Sequence, residues 1–131
     1  MIKKPERFIF EKTFAHGIHF ASKLEAAVYG LLKYRVMAGE LRDLRYIHSV
    51  ILPVKKCRFC GCEGGTVTWK VDFSADDVKT GKRVFFEAKG QEDKSYKRRK
   101  GLWKKVGPGV LEIWKGSARN PYLDETIIPK G

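Results

Sequence analysis

Thr66-Val67-Thr68-Trp69-Lys70-Val71-Asp72-Phe73-Ser74 and, a short way on, Arg83-Val84-Phe85-Phe86-Glu87-Ala88-Lys89 are the two runs that decide the fold. The first alternates with a period of two. Val67, Trp69, Val71 and Phe73 are expected on one face, with Thr68, Lys70 and Asp72 on the other. In the second, Val84, Phe86 and Ala88 face one way and Phe85, Glu87 and Lys89 the other. The stretch 76–82 between them holds Thr80-Gly81, a turn signal, so the two runs predict a β-hairpin. Paired in this way, Asp72 lies opposite or diagonal to Glu87 and Lys89, within the ~4.5–8 Å of cross-strand neighbours.

Outward from the hairpin, Ser22-Lys23-Leu24-Glu25 matches the capping box that opens a helix. Leu24, Val28, Leu31 and Leu32 follow at helical spacing, and Gly39 supplies the stop. Residues 44–52 predict a strand closed by Pro53. After the hairpin, 93–106 predict a basic helix with Tyr96, Trp103 and Val106 inward and Gly101 as a weak point, ended by Gly107-Pro108-Gly109. Residues 110–114 predict a last strand, parallel to 83–89 across a right-handed connection. The first 21 residues read as an extended lead-in anchored by Phe8, Phe10, Phe14 and Phe20. The expectation is one α/β domain spanning residues 1–131, with a mixed central sheet flanked by helices.

The chain has 131 residues, enough for one core without disulfides, and 43% of them are hydrophobic, as in a folded globule. No apolar run approaches the ~20 residues of a bilayer span, and residues 1–7 lack the apolar stretch of a signal peptide. A soluble, cytoplasmic protein is therefore expected. There are 27 Lys and Arg against 15 Asp and Glu, a net charge of +12. Such an excess suits a polyanion, with nucleic acid the foremost choice. The charge is uneven: Lys94, Lys97, Arg98, Arg99, Lys100, Lys104 and Lys105 bring seven basic residues to the second helix and no acidic one. They are the candidate phosphate contacts, Lys97 the first choice among them; a solvated surface helix is the plainer reading. Trp69, Trp103 and Trp114 are expected in the core rather than as base-stacking platforms.

Two carboxylates and an ammonium on one patch of sheet suit Mg²⁺ or Mn²⁺, which bind through one or two carboxylates and keep several waters. An ion held there can activate water and offset charge at a phosphodiester, with Lys89 placing the water or stabilising the transition state. E-x-K is a common tripeptide, so spacing alone leaves an ordinary solvated charge pattern equally open.

Asp72 at the end of one strand, followed across a turn by Glu87-Ala88-Lys89, resembles the motif of the PD-(D/E)XK nuclease superfamily, with Val71 in place of the proline. Gly17-Ile18-His19-Phe20-Ala21-Ser22-Lys23-Leu24-Glu25-Ala26 and Ala38-Gly39-Glu40-Leu41-Arg42-Asp43-Leu44 resemble its small phage-encoded members that resolve branched DNA. The resemblance covers roughly residues 17–115. It implies a restriction-endonuclease-like fold and Mg²⁺-dependent cleavage of DNA, with Holliday junctions, flaps or other branched structures as substrates. It further implies a homodimer and, for a phage protein, the cytoplasm of a bacterial host. Catalytic roles fall to Glu25, Asp72, Glu87 and Lys89, and metal ligation to Glu25, Asp72, Glu87 and the carbonyl of Ala88. Glu25 is contested, because the capping box also claims it.

Cys57, Cys60 and Cys62 form C-x-x-C and C-x-C in a glycine-rich insert at about 55–65. Thiolates so spaced can hold a structural Zn²⁺, with His48 the first choice of fourth ligand and His16 or His19 more distant ones. Free cysteines in a loop are the alternative. The rival reading of the whole chain is a non-catalytic, zinc-stabilised nucleic-acid-binding module.

Overall fold

The structure is a computed structural model that describes residues 13–15, 17–54 and 64–130. A hairpin of β1 (Thr13–Ala15) and β2 (Ile18–Phe20) leads into helix α1 (Lys23–Met37). Five further strands follow: β3 (Leu41–Val54), β4 (Gly65–Asp77), β5 (Arg83–Ala88), β6 (Leu111–Gly116) and β7 (Pro121–Ile127). Helix α2 (Lys94–Val106) joins β5 to β6. These five form one sheet in chain order, antiparallel except for the parallel pair β5–β6 that α2 connects. The chain is thus a mixed α/β domain with one helix on each face of the sheet. Among the described residues, no helix is long and apolar enough to cross a membrane.

Each element forms for local reasons. Ser22 caps α1, its Oγ accepting the Glu25 N–H at 3.0 Å, and Gly39 closes the helix at φ +82°. Asp93 caps α2 through Oδ1, which accepts the Tyr96 N–H at 2.8 Å. Phe20, Val28, Tyr29, Leu32, Leu41, Phe73, Ala75 and Phe86 pack into a core under α1. Val50, Leu52, Trp69, Val71, Phe85, Tyr96, Trp103, Leu111, Ile113 and Ile127 pack into a second core under α2.

Two expectations are corrected here. Strict alternation placed Val67, Trp69, Val71 and Phe73 on one face, yet Trp69 and Val71 lie in the α2 core whereas Phe73 lies in the α1 core. The strand turns over at Asp72. Its neighbour β3 turns over at the same level: Tyr46 pairs with Phe73 and His48 with Val71, while Ile47 between them has φ +62°. That conformation is strained for a β-branched residue. One hairpin can in this way serve both cores. The second correction is β7, which the sequence reading left out. It is an edge strand in which Ile127 alone is buried, so it carries little alternation, and Pro121 stands at its first position, where a sheet edge tolerates proline.

Candidate functional site

The turnover of β4 builds the site. β4 stays paired with β5 from Asp76 opposite Arg83 to Phe73 opposite Phe86, and parts from it at Asp72. The backbone groups freed there are taken by side chains. The Asp72 N–H donates to Glu87 Oε1 at 3.1 Å, and the Ala88 N–H donates to Asp72 Oδ2 at 2.9 Å. The Lys89 N–H goes the other way, to the Trp114 carbonyl at 2.9 Å. Because N–H and C=O of one strand residue point to the same side, the Ala88 carbonyl faces Asp72.

Glu25 arrives from the first turn of α1. Its Oε1 accepts the Ala21 N–H at 3.0 Å and the Tyr46 hydroxyl at 3.3 Å, and its carboxyl lies close enough to Asp72 to raise that residue's pKa. The capping box is therefore half formed: Ser22 caps the helix, but the Glu25 carboxylate reaches Ala21 rather than returning to Ser22. The Glu25 carboxylate thus braces the helix entry through Ala21 while its charge acts on Asp72. Asp72 feels the charge of both Glu25 and Glu87 and donates its own N–H to Glu87. Glu87 is turned partly away, its Oε2 accepting the Trp69 indole N–H at 3.3 Å.

Glu25 and Glu87 are among the few buried charged residues described, at 7% and 8% exposed. Carboxylates are seldom so enclosed without a partner of opposite charge. Burial pushes the Asp72 pKa well above the ordinary carboxylate range. The charge of Glu87 adds to this, the Ala88 N–H opposes it, and Glu25 raises it further. Burial also raises Glu87, against the Asp72 N–H, the Trp69 N–H and the positive charges of Arg99 and Lys89. Two of the three carboxylates thus resist ionisation, a condition that a bound cation relieves.

Lys89 stands just past the end of β5, its Nζ 5.0 Å from the centre of the Tyr96 ring. Sequence reasoning missed Tyr46. Its hydroxyl also reaches the His19 carbonyl at 3.2 Å, and its ring packs on Phe20 and Phe73. Burial, then Glu25, pushes its pKa up to about 12, so it remains a hydrogen-bond donor. No local pattern marks a contact made across 21 positions, so only the fold reveals it.

A second acidic group lies elsewhere. Ligand oxygens of Glu92, Asp124 and Glu125 come within 4.8 Å of one another. Two ammonium groups already sit among them. Lys100 reaches Glu92 at 2.7 Å and Glu125 at 2.8 Å, and Lys115 reaches Glu92 at 2.8 Å and Asp124 at 3.3 Å. This is an ion-pair network tying α2 to β6 and β7. It withdraws Lys100 from the set of free phosphate contacts. Of the others, Lys94, Lys97, Arg98, Lys104 and Lys105 are exposed and Arg99 is half-buried.

Trp69 and Trp103 are buried, and Trp114 packs against the α1 core, as a structural role for all three requires. Cys57, Cys60, Cys62 and His16 lie outside the described residues, so the zinc expectation does too. His48 is described. Its Nδ1 and Ser74 Oγ are hydrogen-bonded at 2.8 Å, and its ring stands edge-on to Phe85. It sits six residues before the end of β3, roughly 20 Å along a strand. No protein-family model matches the chain, and no curated protein or solved structure matches it either.

Proposed function

We propose that the chain is a metal-dependent endodeoxyribonuclease of the restriction-endonuclease-like type, acting on branched DNA such as four-way junctions. One observation carries the reading: Glu25 from α1, Asp72 from β4 and Glu87 from β5 come together where the sheet opens, in an enclosed site that resists the ionisation of Asp72 and Glu87. Such a donor set fits Mg²⁺ or Mn²⁺, held by Asp72 with Glu25, Glu87 and the Ala88 carbonyl. When bound, the ion would supply an activated water and charge neutralisation at the phosphoryl group.

The chain's own residues do the rest. Tyr46 and the Ala21 N–H orient Glu25. Trp69 and the Asp72 N–H orient Glu87. Lys89 stands by to position water or to steady the negative charge that grows on the phosphate. Lys94, Lys97, Arg98, Lys104 and Lys105 grip flanking phosphates, and this grip carries little sequence information. An enzyme that resolves four-way junctions acts as a symmetric dimer, so the same reading includes a homodimer.

Incubating the protein and its Asp72→Ala variant with a synthetic junction and Mg²⁺ tests this. Cleavage by the wild type, with binding kept and cleavage lost in the variant, supports the enzyme. A wild type that binds and never cuts with Mg²⁺ or Mn²⁺ contradicts it and leaves the binding-module reading.

A further inference from the structure

Arg99 stands apart from the other basic residues of α2. Its guanidinium carbon lies 5.1 Å from the centre of the Trp69 ring and 5.5 Å from that of Tyr96, within cation–π range of both. The two rings meet edge to face at 5.6 Å. Trp69 is also the residue whose indole N–H is bonded to Glu87. The aromatic floor beneath Arg99 is thus a wall of the acidic site. The same Tyr96 ring carries Lys89 at 5.0 Å and Lys100 at 5.8 Å, so three cations share it, and Lys89 and Arg99 are the two that also act on Glu87.

The partners of Arg99 are the telling part. The next residue, Lys100, is held by Glu92 and Glu125, whereas among the described residues Arg99 is in ion-pair contact with no carboxylate and acts on Glu87 only at longer range. Its Nε is buried without a hydrogen-bond partner, as is the hydroxyl of Tyr96, a residue with no exposed surface. Buried donors are ordinarily satisfied. Packing over an indole needs only an unbranched stem. A planar fork of N–H groups is what a phosphate uses.

We propose that Arg99, with Lys89, binds the phosphodiester that the acidic site attacks, donating to its non-bridging oxygens while the exposed lysines hold flanking phosphates. This rests on the nuclease reading above. It separates one residue of the basic helix from the rest: Arg99 acts on the reacting group, the others on affinity.

The test compares wild type, Arg99→Ala, Arg99→Lys and Arg99→Met on junction DNA. Single-turnover cleavage is measured at saturating protein with Mg²⁺, and binding is measured in Ca²⁺. Lys79→Ala, exposed on the β4–β5 turn and about 17 Å along β4 from Asp72, controls for lost charge. Arg99→Met keeps a stem over Trp69, so a folding defect in the alanine variant does not decide the matter.

The expected result is a cleavage rate lower by about 10²–10³-fold in Arg99→Met, as when one transition-state donor is removed. Affinity should change by less than about tenfold, and added guanidinium ion should restore part of the Arg99→Ala rate. Cleavage by Arg99→Met at the wild-type rate under saturation overturns the proposal. If wild-type protein binds DNA but cuts nothing, the nuclease reading falls. The phosphate contact is then judged by salt dependence alone: a slope reduced by about one ion in Arg99→Met keeps it, and an unchanged slope overturns it.

Discussion

Asp72 concentrates the chemistry of the chain into one side chain. It accepts the Ala88 N–H, feels the charge of Glu25 and offers its own N–H to Glu87. A carboxyl whose folded pKa is raised holds a proton that the unfolded chain releases. Its stabilising contribution is complete below its ordinary value, 3.8 for Asp72 and 4.5 for Glu87, and is lost as pH rises toward the folded value. Glu92 and Asp43, lowered by their basic partners, act in the opposite sense at and below the ordinary carboxylate range, and His48, lowered by burial and by Arg83 and Arg45, does so below its ordinary 6.5. Above that value, metal-free protein should lose thermal stability with rising pH, and Asp72→Asn should flatten the loss. Mg²⁺ should raise the melting temperature more at pH 8 than near pH 5.5, because it replaces the proton. Thermal unfolding of both proteins across this range, with and without Mg²⁺, checks each part. A wild-type profile identical to that of Asp72→Asn would contradict the raised pKa of Asp72. At this scale much was legible: Asp72, Glu87 and Lys89 follow from a two-residue period across a turn. Glu25 came from family resemblance, and Tyr46 had no signal at all.

At the level of elements, the hairpin, both helices and the parallel β5–β6 pair could be read from pattern, because each repeats a local rule several times over. The turnover at Ile47 and Asp72 could not. Its consequence is a change of face, and nothing in Val71-Asp72-Phe73 breaks the alternation that the change violates. Ile47 gives no hint either, since a β-branched residue is the poorest sequence marker for positive φ. The end of α2 shows the reverse case, a glycine with a legible reason. Gly107 donates its N–H to the Trp103 carbonyl at 2.7 Å, and Trp103 Nε1 donates to the Gly109 carbonyl at 2.8 Å. A Cβ at position 107 would stand 2.6 Å from Trp103 Cδ1 and 2.7 Å from its carbonyl oxygen. Gly107→Ala must therefore displace Trp103, one of the two tryptophans of the α2 core, at a cost of about 1–3 kcal/mol. Urea denaturation should show it as a lower midpoint with an unchanged slope.

Taken whole, the molecule sets a basic helix and an enclosed acidic site on one sheet. A net charge of +12 suits the polyanion of the proposed function, and three clustered carboxylates would repel that polyanion unless a cation stood between them. Opposed fields of this kind make the metal the hinge of the account. Composition made the excess charge plain. It did not show that Lys100 is spent on Glu92 and Glu125, or that Arg99 rests on Trp69 beside the site, because both depend on which elements the fold makes neighbours. The most direct measurement is a crystal grown with Mn²⁺ and examined for anomalous scattering. The account predicts a peak within coordination distance of Asp72 and of at least one of Glu25 and Glu87. Manganese found only among Glu92, Asp124 and Glu125, or no peak at Asp72 with the ion in excess, would contradict it.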